Sequence, residues 1–519
     1  MAETDIPAAV RAGYAFAGPA LELGALVVGE GCDPTAKVRI PLSMVNRHGL
    51  VAGATGTGKT KTLQAMAEQL SAAGVPVFLA DIKGDLSGMA APGEASDRVT
   101  KRAADIGLDW APAAYPVEFF ALGGRGKGVP VRATVTSFGP TLLAKVLGLN
   151  DVQESSLGLV FHFADRNALP LLDLADLRAV IQHLTSPAGA AELTELGGLS
   201  KATAGVILRE LIAFADAGAE DFFGETEFDT RDFLRIAPDG RGVVSILELP
   251  GVQDQPQLFA TFLMWFLADL FQDLPEVGDV DKPKLVFFFD EAHLLFDDAS
   301  KEFLDAIAQT VRLIRSKGVG VFFVTQTPKD MPGDVLAQLA NRVQHALRAF
   351  TPADAKALKA TASTFPMSGY DLEEVLTQVG IGEAVVTVMS ERGAPTPVAW
   401  TRLRAPQSRM APADAAVLAS AVEASPLRSK YAEQVDRDSA YERLAARLQK
   451  APAGGAGPAG TAGKPAKAPK PPRAPRDSAP EKSTAERVLE SSAFKQMARS
   501  AAAVIGREIT RSIFGTRSR

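Results

Sequence analysis

The sequence predicts an α/β protein in which helices pack against a mostly parallel β-sheet. Three observations support this prediction. Short, nearly continuous apolar runs recur along the chain, segments with helical spacing separate them, and a glycine-rich loop follows the first run. Strands that helices cover on both faces need apolar residues on both sides, which explains why these runs lack polar alternation.

Six apolar runs are the predicted strands. They lie at residues 48–54, 75–81, 242–249, 284–291, 318–326 and 383–390. Runs such as "KLVFFFDE" and "GVGVFFVTQ" show no period of two, so both of their faces are expected to be covered. Helical patterns fill the intervals between most of the runs, which favours a parallel sheet with helices on its faces.

The order of these patterns divides the chain into segments. Residues 140–235 contain helical stretches such as "TLLAKVLGL" and few strand signals, so they are predicted to form a helical insertion. Residues 48–139 and 236–410 then form the first and second parts of one core. Residues 1–47 are expected to form an N-terminal β segment, and residues 411–450 a helical extension.

The C-terminal part of the chain differs in composition from the rest. Residues 451–480 form a low-complexity Ala/Gly/Pro stretch with spaced cations, which predicts a disordered linker. Residues 481–519 predict a basic amphipathic helix. Its apolar stripe consists of Phe494, Met497, Ala501, Val504, Ile505, Ile509 and Ile513, and its cations are Lys495, Arg499, Arg507 and Arg511. The helix is expected to dock on the protein's own body, a sister subunit, nucleic acid or a membrane surface, and these alternatives stay open.

Charge is distributed unevenly between the body and this tail. Thirteen Lys/Arg against five Asp/Glu give residues 451–519 a net charge of +8, and since the whole chain carries −6, residues 1–450 carry −14. A basic tail on an acidic body indicates an anionic partner, or contact with the body itself. The acidic body also makes DNA binding a weak inference, because neutralisation of phosphates supplies most non-specific affinity for DNA.

Several features indicate a cytoplasmic protein. The single cysteine, Cys32, excludes an intramolecular disulfide framework and suits a reducing compartment. The first residues are acidic and lack the apolar core of a secretory signal. The longest apolar helical run, residues 257–272, contains Asp269 and is shorter than the roughly 20 residues of a membrane span, so it is expected to be a buried helix.

The stretch "GATGTGKT" fits the phosphate-binding pattern G-x-x-x-x-G-K-[ST]. It follows the apolar "GLVA" and leads into "KTLQAMAEQL", so strand, glycine loop and helix occur in the required order. Glycines let successive backbone N–H groups turn toward a phosphate, and the start of a helix favours an anion. The predicted nucleotide-binding residues are Gly53, Ala54, Thr55, Gly56, Thr57, Gly58, Lys59, Thr60 and Lys61.

Within this loop, Lys59 is expected to reach the β- and γ-phosphates of a nucleotide and the Thr60 hydroxyl to ligate Mg²⁺. The alternative interpretation is a glycine-rich helix cap beside a lysine.

Two carboxylates end the predicted strand at residues 284–291. Ligands of open α/β sheets bind at the carboxyl ends of the strands, so Asp290 is placed to hold Mg²⁺ and Glu291 to deprotonate an attacking water. The alternative is a pair of acidic residues that cap the next helix. A base that activates water favours hydrolysis over transfer to a small acceptor.

Thr325 and Gln326 end the next predicted strand. Gln326 is expected to contact the γ-phosphate and sense its loss, and the alternative is a solvated strand end. Arg315, shortly before this strand, is the favoured arginine finger for a neighbouring subunit's nucleotide, because such a cation contributes large rate factors. The other candidate cations are Arg312, Lys317, Arg342 and Arg348. The alternative for every one of these cations, including Arg315, is an ordinary surface charge.

These motifs together resemble the HerA/FtsK superfamily of P-loop ATPases, and within it the HerA-like YjgR family. "GATGTGKT", "FLADIKGDLSG", "VFFFDEAHLLF" and "VGVFFVTQTP" follow the order of the superfamily, and "DIKGDLSG" and "NRVQHALRAFTP" are similar to the YjgR family. The resemblance extends over about residues 20–410 and includes a C-terminal helical tail. It implies a RecA-like core, ATP and Mg²⁺ as cofactors, ATP hydrolysis, a homo-oligomer such as a hexameric ring, and DNA as a partner for translocation.

The resemblance also implies roles for matching residues. By position, Lys59 and Thr60 bind phosphate and Mg²⁺, Asp290 helps to place Mg²⁺, Glu291 is the base and Gln326 the sensor. Asp81 and Lys83 end the second strand near the same edge, and a structural loop role for them stays open. HerA itself has an N-terminal β-barrel, for which residues 1–47 are too few. Docking of a partner nuclease and a role in DNA-end resection therefore stay open.

Three functions follow from this sequence. The first is an ATP-hydrolysing HerA-like motor, as a hexameric DNA translocase or helicase. The second is a phosphotransferase that moves the γ-phosphate to a nucleoside diphosphate or another small acceptor. The third is a nucleotide-dependent scaffold, against which the complete set of Lys59 and Glu291 motifs argues.

Overall fold

A computed structural model describes residues 5–193, 197–249, 256–296, 301–435 and 437–450. The chain has two compact units, Met1–Tyr441 and Glu442–Arg519, and of the second unit the described residues are 442–450. The predicted linker at 451–480 and the predicted C-terminal helix at 481–519 lie outside the described residues.

Twelve strands within the described residues form one sheet. In chain order they are β1 (Ala20–Val28), β2 (Gly31–Pro41), β3 (Gly49–Ala52), β4 (Val77–Asp81), β5 (Val117–Leu122), β6 (Val129–Val131), β7 (Val244–Glu248), β8 (Leu285–Phe289), β9 (Val319–Thr325), β10 (Asn341–Gln344), β11 (Glu383–Thr387) and β12 (Ala399–Leu403).

The strand order across the sheet is β2-β1-β12-β11-β10-β3-β9-β8-β4-β7-β5-β6. Neighbouring strands from β10 to β6 are parallel, and those from β10 back to β2 are antiparallel. The predicted α/β class with a mostly parallel sheet is therefore confirmed. β3 pairs with β9, with Leu50 opposite Phe323, so the strand before the glycine loop lies beside the strand that precedes Gln326.

Each of the six predicted runs contains one observed strand. β8 reads LVFFF and all five of its residues are buried, as a strand between two helical layers requires. The sequence predicts a β segment at residues 1–47 without placing β1 and β2 in it, and it does not predict β5, β6, β10 and β12. β6 and β10 have only three and four residues, and β2 and β12 expose part of their length, so their apolar signal is weak.

The described residues contain sixteen α-helices. They are α1 (Ile6–Gly13), α2 (Lys59–Ala72), α3 (Asp97–Asp105), α4 (Val135–Val146), α5 (Asp151–Arg166), α6 (Leu174–Thr185), α7 (Pro187–Glu192), α8 (Lys201–Asp216), α9 (Pro256–Asp273), α10 (Lys301–Ile314), α11 (Gly333–Leu336), α12 (Pro352–Ala362), α13 (Leu372–Gln378), α14 (Ala415–Glu423), α15 (Arg428–Tyr431) and α16 (Ala440–Lys450).

Several helices form the connections between parallel strands of the sheet. α2 connects β3 to β4, and α10 precedes β9, as crossovers of a parallel sheet require. α4 to α8 follow one another between β6 and β7 without an intervening strand. α9 is buried along most of its length, and among the described residues no helix combines the length and apolar character needed to cross a membrane.

An aromatic cluster holds β4 against the helices on one face of the sheet. Phe78 on β4 is fully buried, and its ring centroid lies 5.0 Å from that of Phe266, 5.2 Å from that of Phe233 and 5.3 Å from that of Phe287. Aromatic pairs at these separations add to the free energy of area burial. The cluster fixes β4, whose last residue is Asp81, in the middle of the parallel strands.

We expect Phe78→Ala to lower the free energy of unfolding by about 3–5 kcal/mol, because it leaves a cavity among packed rings. Urea unfolding followed by circular dichroism measures this difference. The matched control is Phe350→Ala, whose side chain is exposed, and it is expected to stay within about 0.5 kcal/mol of the wild type. Equal losses in the two variants would contradict the packing role of Phe78.

Candidate nucleotide-binding site

The glycine loop joins the carboxyl end of β3 to the start of α2. Gly53 has φ 154°, Gly56 φ 79° and Gly58 φ 109°, values that L-residues rarely adopt. A Cβ added at Gly53 would also lie 2.4 Å from the Cβ of His345. Only glycine therefore fits position 53, as the sequence pattern predicts.

Neighbouring strands hold the loop at its first two residues. The Gly53 N–H donates to the carbonyl oxygen of Thr325 over 3.2 Å, and the Ala54 N–H donates to that of Ala346 over 2.8 Å. The acceptors are the last residue of β9 and a residue just after β10, so the sheet itself places the loop at its carboxyl edge. Beyond them the loop is open, since Thr55 and Gly56 are exposed.

Lys59 is buried and lies across the loop. Its Nζ donates to the carbonyl oxygens of Gly53 at 2.7 Å and Ala54 at 3.3 Å. Burial lowers the pKa of Lys59, and the negative charges of Glu291 and Asp290 partly oppose this. Thr60 is half-buried in the first turn of α2, and the next lysine, Lys61, donates to Gln64 Oε1 at 3.2 Å.

Asp290 follows β8 directly and is almost fully buried. Its Oδ1 accepts the Glu291 N–H at 2.9 Å, while its Oδ2 is buried and has no hydrogen-bond partner among the described residues. Burial raises the pKa of Asp290 to about 7, against the lowering charge of Lys83. A buried carboxylate oxygen without a partner is costly, so this group calls for a cation or donor that the chain does not supply.

This arrangement fits Mg²⁺. No group of three or more His, Cys, Asp or Glu that could hold a metal occurs in the part of the chain that the structure describes. Mg²⁺ does not need such a group in nucleotide sites, since it takes one or two protein oxygens, several waters and the phosphates of the substrate. Asp290 Oδ2 and the Thr60 hydroxyl are the oxygens that the chain offers.

Glu291 has both carboxylate oxygens facing nitrogen atoms. Lys83 Nζ forms an ion pair with Oε1, and His293 Nδ1 lies 3.3 Å from Oε2 without hydrogen-bond geometry. Burial by itself would raise the pKa of Glu291, but the hydrogen bond and charge of Lys83 outweigh burial and hold this pKa below its ordinary value. Glu291 also has φ 47°, a left-handed backbone that is strained for a residue with a side chain.

The loop after β4 presents Lys83 to this carboxylate. Asp81 Oδ1 accepts the N–H groups of Gly84 at 2.7 Å and Asp85 at 3.3 Å, and its Oδ2 accepts that of Leu86 at 2.8 Å. Burial raises the pKa of Asp81 to about 6. Since β4 and β8 are parallel neighbours, Asp81 fixes a turn from which Lys83 reaches the end of β8.

Gln326 and Arg315 lie at opposite ends of β9. Gln326 is exposed and follows Thr325, whose carbonyl oxygen bonds to the glycine loop. Arg315 is exposed and precedes β9 at the amino edge of the sheet. The seven residues of β9 span roughly 23 Å. Arg315 is therefore remote from the glycine loop of its own chain.

His345 supports the loop and was not predicted as part of the site. It follows the short polar strand β10, and its Nε2 lies 3.0 Å from Thr62 Oγ1 in α2. Burial lowers the pKa of His345 to about 3, assisted by the charge of Lys59, so the ring is neutral at pH 7. No local pattern marks this histidine, because its role depends on strand pairing.

A cavity of about 340 Å³ adjoins the start of α2. Gly58, Lys61 and Thr62 contribute to its wall, and so do Arg102 on α3 and Gly382 before β11. Arg102 Nη1 donates to the carbonyl oxygen of Gly382 at 2.9 Å, and the Gly382 N–H donates to that of Thr57 at 3.0 Å. The cavity therefore has a size typical of small-molecule pockets and opens next to the glycine loop.

A strand that leads into a glycine loop with Lys59 and then a helix, and an acidic end on the next strand but one, all at the carboxyl edge of a parallel sheet, define the P-loop class of nucleotide-binding α/β proteins. The chain belongs to the family of the helicase HerA-like C-terminal domain, whose family model matches residues 29–519. The HerA-like membership that the motif order implies is thus confirmed.

Several solved structures match about three quarters of this chain at low identity. The bacterial conjugative coupling protein TrwBdeltaN70 in its unbound monoclinic form is 16 % identical, with a TM-score of 0.49 over 78 % of this chain and 93 % of that chain. TrwB in complex with ADP and Mg²⁺ is 16 % identical, with a TM-score of 0.48 over 76 % and 98 %. VirB4 of Thermoanaerobacter pseudethanolicus is 14 % identical, with a TM-score of 0.49 over 75 % and 97 %. No curated protein matches the sequence significantly.

Proposed function

We propose that this protein is an ATP-hydrolysing motor ATPase that uses Mg²⁺. The observation that supports this most directly is the end of β8, where Asp290 has an unpartnered buried oxygen and Glu291 follows it, beside Lys59 of the glycine loop. A phosphate loop alone suits many reactions. A buried carboxylate that can bind a cation, followed directly by a second carboxylate, suits hydrolysis, because the second carboxylate takes the proton of the attacking water.

Each residue of the site has its own proposed role in binding or hydrolysis. The loop amides between Gly53 and Thr60 and the ammonium of Lys59 bind the phosphates. Asp290 and Thr60 hold Mg²⁺, which when bound neutralises charge on the phosphates. Glu291 accepts a proton from water as water attacks the γ-phosphorus and the bond to ADP breaks. Gln326, exposed beside the loop, contacts the γ-phosphate.

The cavity beside α2 is proposed to hold the nucleobase and ribose. It adjoins Gly58 and Lys61, and therefore lies where the phosphate loop leads into the helix. Its volume of about 340 Å³ suits a ligand of that size.

The assembled protein is proposed to be a homo-oligomer, with a hexameric ring as the form favoured by family membership. The position of Arg315 agrees with this, since it lies at the amino edge and can complete only a neighbour's site. Light scattering coupled to gel filtration, with and without Mg²⁺ and a non-hydrolysable ATP analogue, measures the subunit number.

DNA is the proposed substrate of the motor, and we expect DNA to stimulate ATP hydrolysis severalfold at low salt. Raising the salt concentration is expected to remove the stimulation, because binding depends on release of counterions from phosphates. Phosphate release in the presence of single- and double-stranded DNA of graded length measures the effect. A rate that no DNA changes at any salt concentration would reject DNA as substrate and leave the ATPase assignment standing.

A further inference from the structure

Glu291 is not free to act as a base in this structure. Lys83 Nζ engages Oε1, and Oε2 is buried from solvent beside His293 Nδ1. The Glu291 side chain is 9 % exposed. A carboxylate whose oxygens are paired or covered in this way cannot receive a proton from an attacking water.

Lys83 is the more exposed partner of the ion pair. Its side chain is 43 % exposed, and it lies in the turn between Asp81 and Leu86 rather than on a strand or helix. Its charge acts on both Lys59 and Asp290, lowering the pKa of each, so its ammonium lies within the same site as the glycine loop. A lysine side chain is flexible and carries three rotatable donors, so Lys83 is suited to exchange one anionic partner in this site for another.

The backbone at Glu291 indicates that this arrangement is held against strain. A non-glycine residue with φ 47° costs free energy and persists only where its surroundings restrain it. The ion pair with Lys83 is one such restraint, since it fixes the side chain of that residue. Removing the restraint would free the carboxylate to reorient.

We propose that Lys83 is a second phosphate-binding cation that restrains Glu291 until a γ-phosphate is present, and then moves to that phosphate and releases the carboxylate. The proposal rests on the proposed ATPase function of the same site. It gives Lys83 two partners in turn, Glu291 without nucleotide and the γ-phosphate with ATP. ADP has no γ-phosphate and leaves the Lys83–Glu291 ion pair in place.

The test compares binding of ADP and of a non-hydrolysable ATP analogue, both with Mg²⁺, to the full chain. We expect Lys83→Met to weaken the analogue about tenfold and to leave ADP within about twofold of the wild type, since one charge-assisted hydrogen bond is lost. Hydrolysis at saturating ATP is also expected to fall. Lys83→Arg keeps the charge and is expected to restore most of the analogue's affinity.

Lys284→Met is the matched control. Lys284 is exposed and precedes β8 at the amino edge, whereas Glu291 follows the same strand at the carboxyl edge. This variant is expected to bind both nucleotides and hydrolyse ATP as the wild type does. Thermal unfolding of all variants shows whether any loss of affinity is a loss of folded protein, and Lys83→Arg keeps the test decisive if Lys83→Met fails to fold.

A second comparison tests the restraint. Glu291→Gln removes the ion pair, so this variant is expected to bind the ATP analogue more tightly than the wild type does. This gain in affinity should vanish in the double variant Lys83→Met/Glu291→Gln. Equal effects of Lys83→Met on ADP and analogue, no effect on either, or faster hydrolysis would overturn the proposal. If the wild type neither binds nor hydrolyses ATP, the proposed function itself fails, which is a separate result.

Discussion

Glu291→Gln is expected to bind ATP at least as tightly as the wild type and to hydrolyse it about 10²–10⁴-fold more slowly, the range that general base catalysis contributes. The amide has nearly the size of the carboxylate but does not accept a proton from water at neutral pH. Glu291 lies after β8, apart from the loop that holds Lys59, so phosphate binding is preserved. Phosphate release at saturating ATP, together with titration of a fluorescent ATP analogue, measures both quantities.

The control for this variant is Glu276→Gln. Glu276 is exposed in the connection between α9 and β8, and removing its charge is expected to leave turnover unchanged. Turnover at the wild-type rate in Glu291→Gln would refute its role as the base. Label from ATP that passes to a nucleoside diphosphate instead of inorganic phosphate would point to the phosphotransferase interpretation.

Lys59→Ala is expected to weaken both ATP and ADP about 10- to 100-fold and to reduce hydrolysis below detection. The estimate follows from hydrogen bonds to charged groups, which contribute about 1.5–3 kcal/mol each, and from a tenfold change in affinity per 1.4 kcal/mol. The loss applies to both nucleotides because Lys59 is expected to contact the β-phosphate, which both possess. Isothermal titration in the presence of Mg²⁺ measures the affinities.

The structure predicts that Lys59→Ala stays folded. Lys59 Nζ bonds only to carbonyl oxygens of its own loop in the described residues, and β3, α2 and the strands beside them do not depend on it. Lys101→Ala, an exposed lysine on α3, is the control and is expected to bind nucleotide normally. Wild-type affinity in Lys59→Ala would show that the loop does not bind phosphate.

Much of the parallel part of the sheet was predictable from the sequence. β8 and β9 are continuous apolar runs with every residue buried, so their composition follows from their position between helical layers. The antiparallel part was not predictable in the same way. β1, β2 and β12 mix buried and exposed positions, and β10 is the polar tetrapeptide NRVQ, whose strand state depends on pairing with β3 and β11.

The candidate site likewise combines features that were predictable from the sequence with features that were not. The glycine loop was recognisable because its requirements are local: positive φ at three closely spaced glycines and a lysine at the first position of the helix. The contacts of Lys83 with Glu291 and of His345 with Thr62 were not recognisable, since each joins segments that are distant in sequence. Only the order of strands across the sheet brings these residues together.

The sequence by itself determined the α/β class, the phosphate loop and the acidic end of β8, because backbone conformation and burial on both faces leave marks on adjacent residues. Three features followed only from the tertiary structure. Lys83 forms an ion pair with the Glu291 carboxylate, and Asp290 has a buried oxygen without a hydrogen-bond partner among the described residues. Arg315 lies at the edge of the sheet opposite to the glycine loop of its own chain. These features depend on distances between segments that are far apart in sequence, because a charged side chain interacts with the groups that the fold places near it.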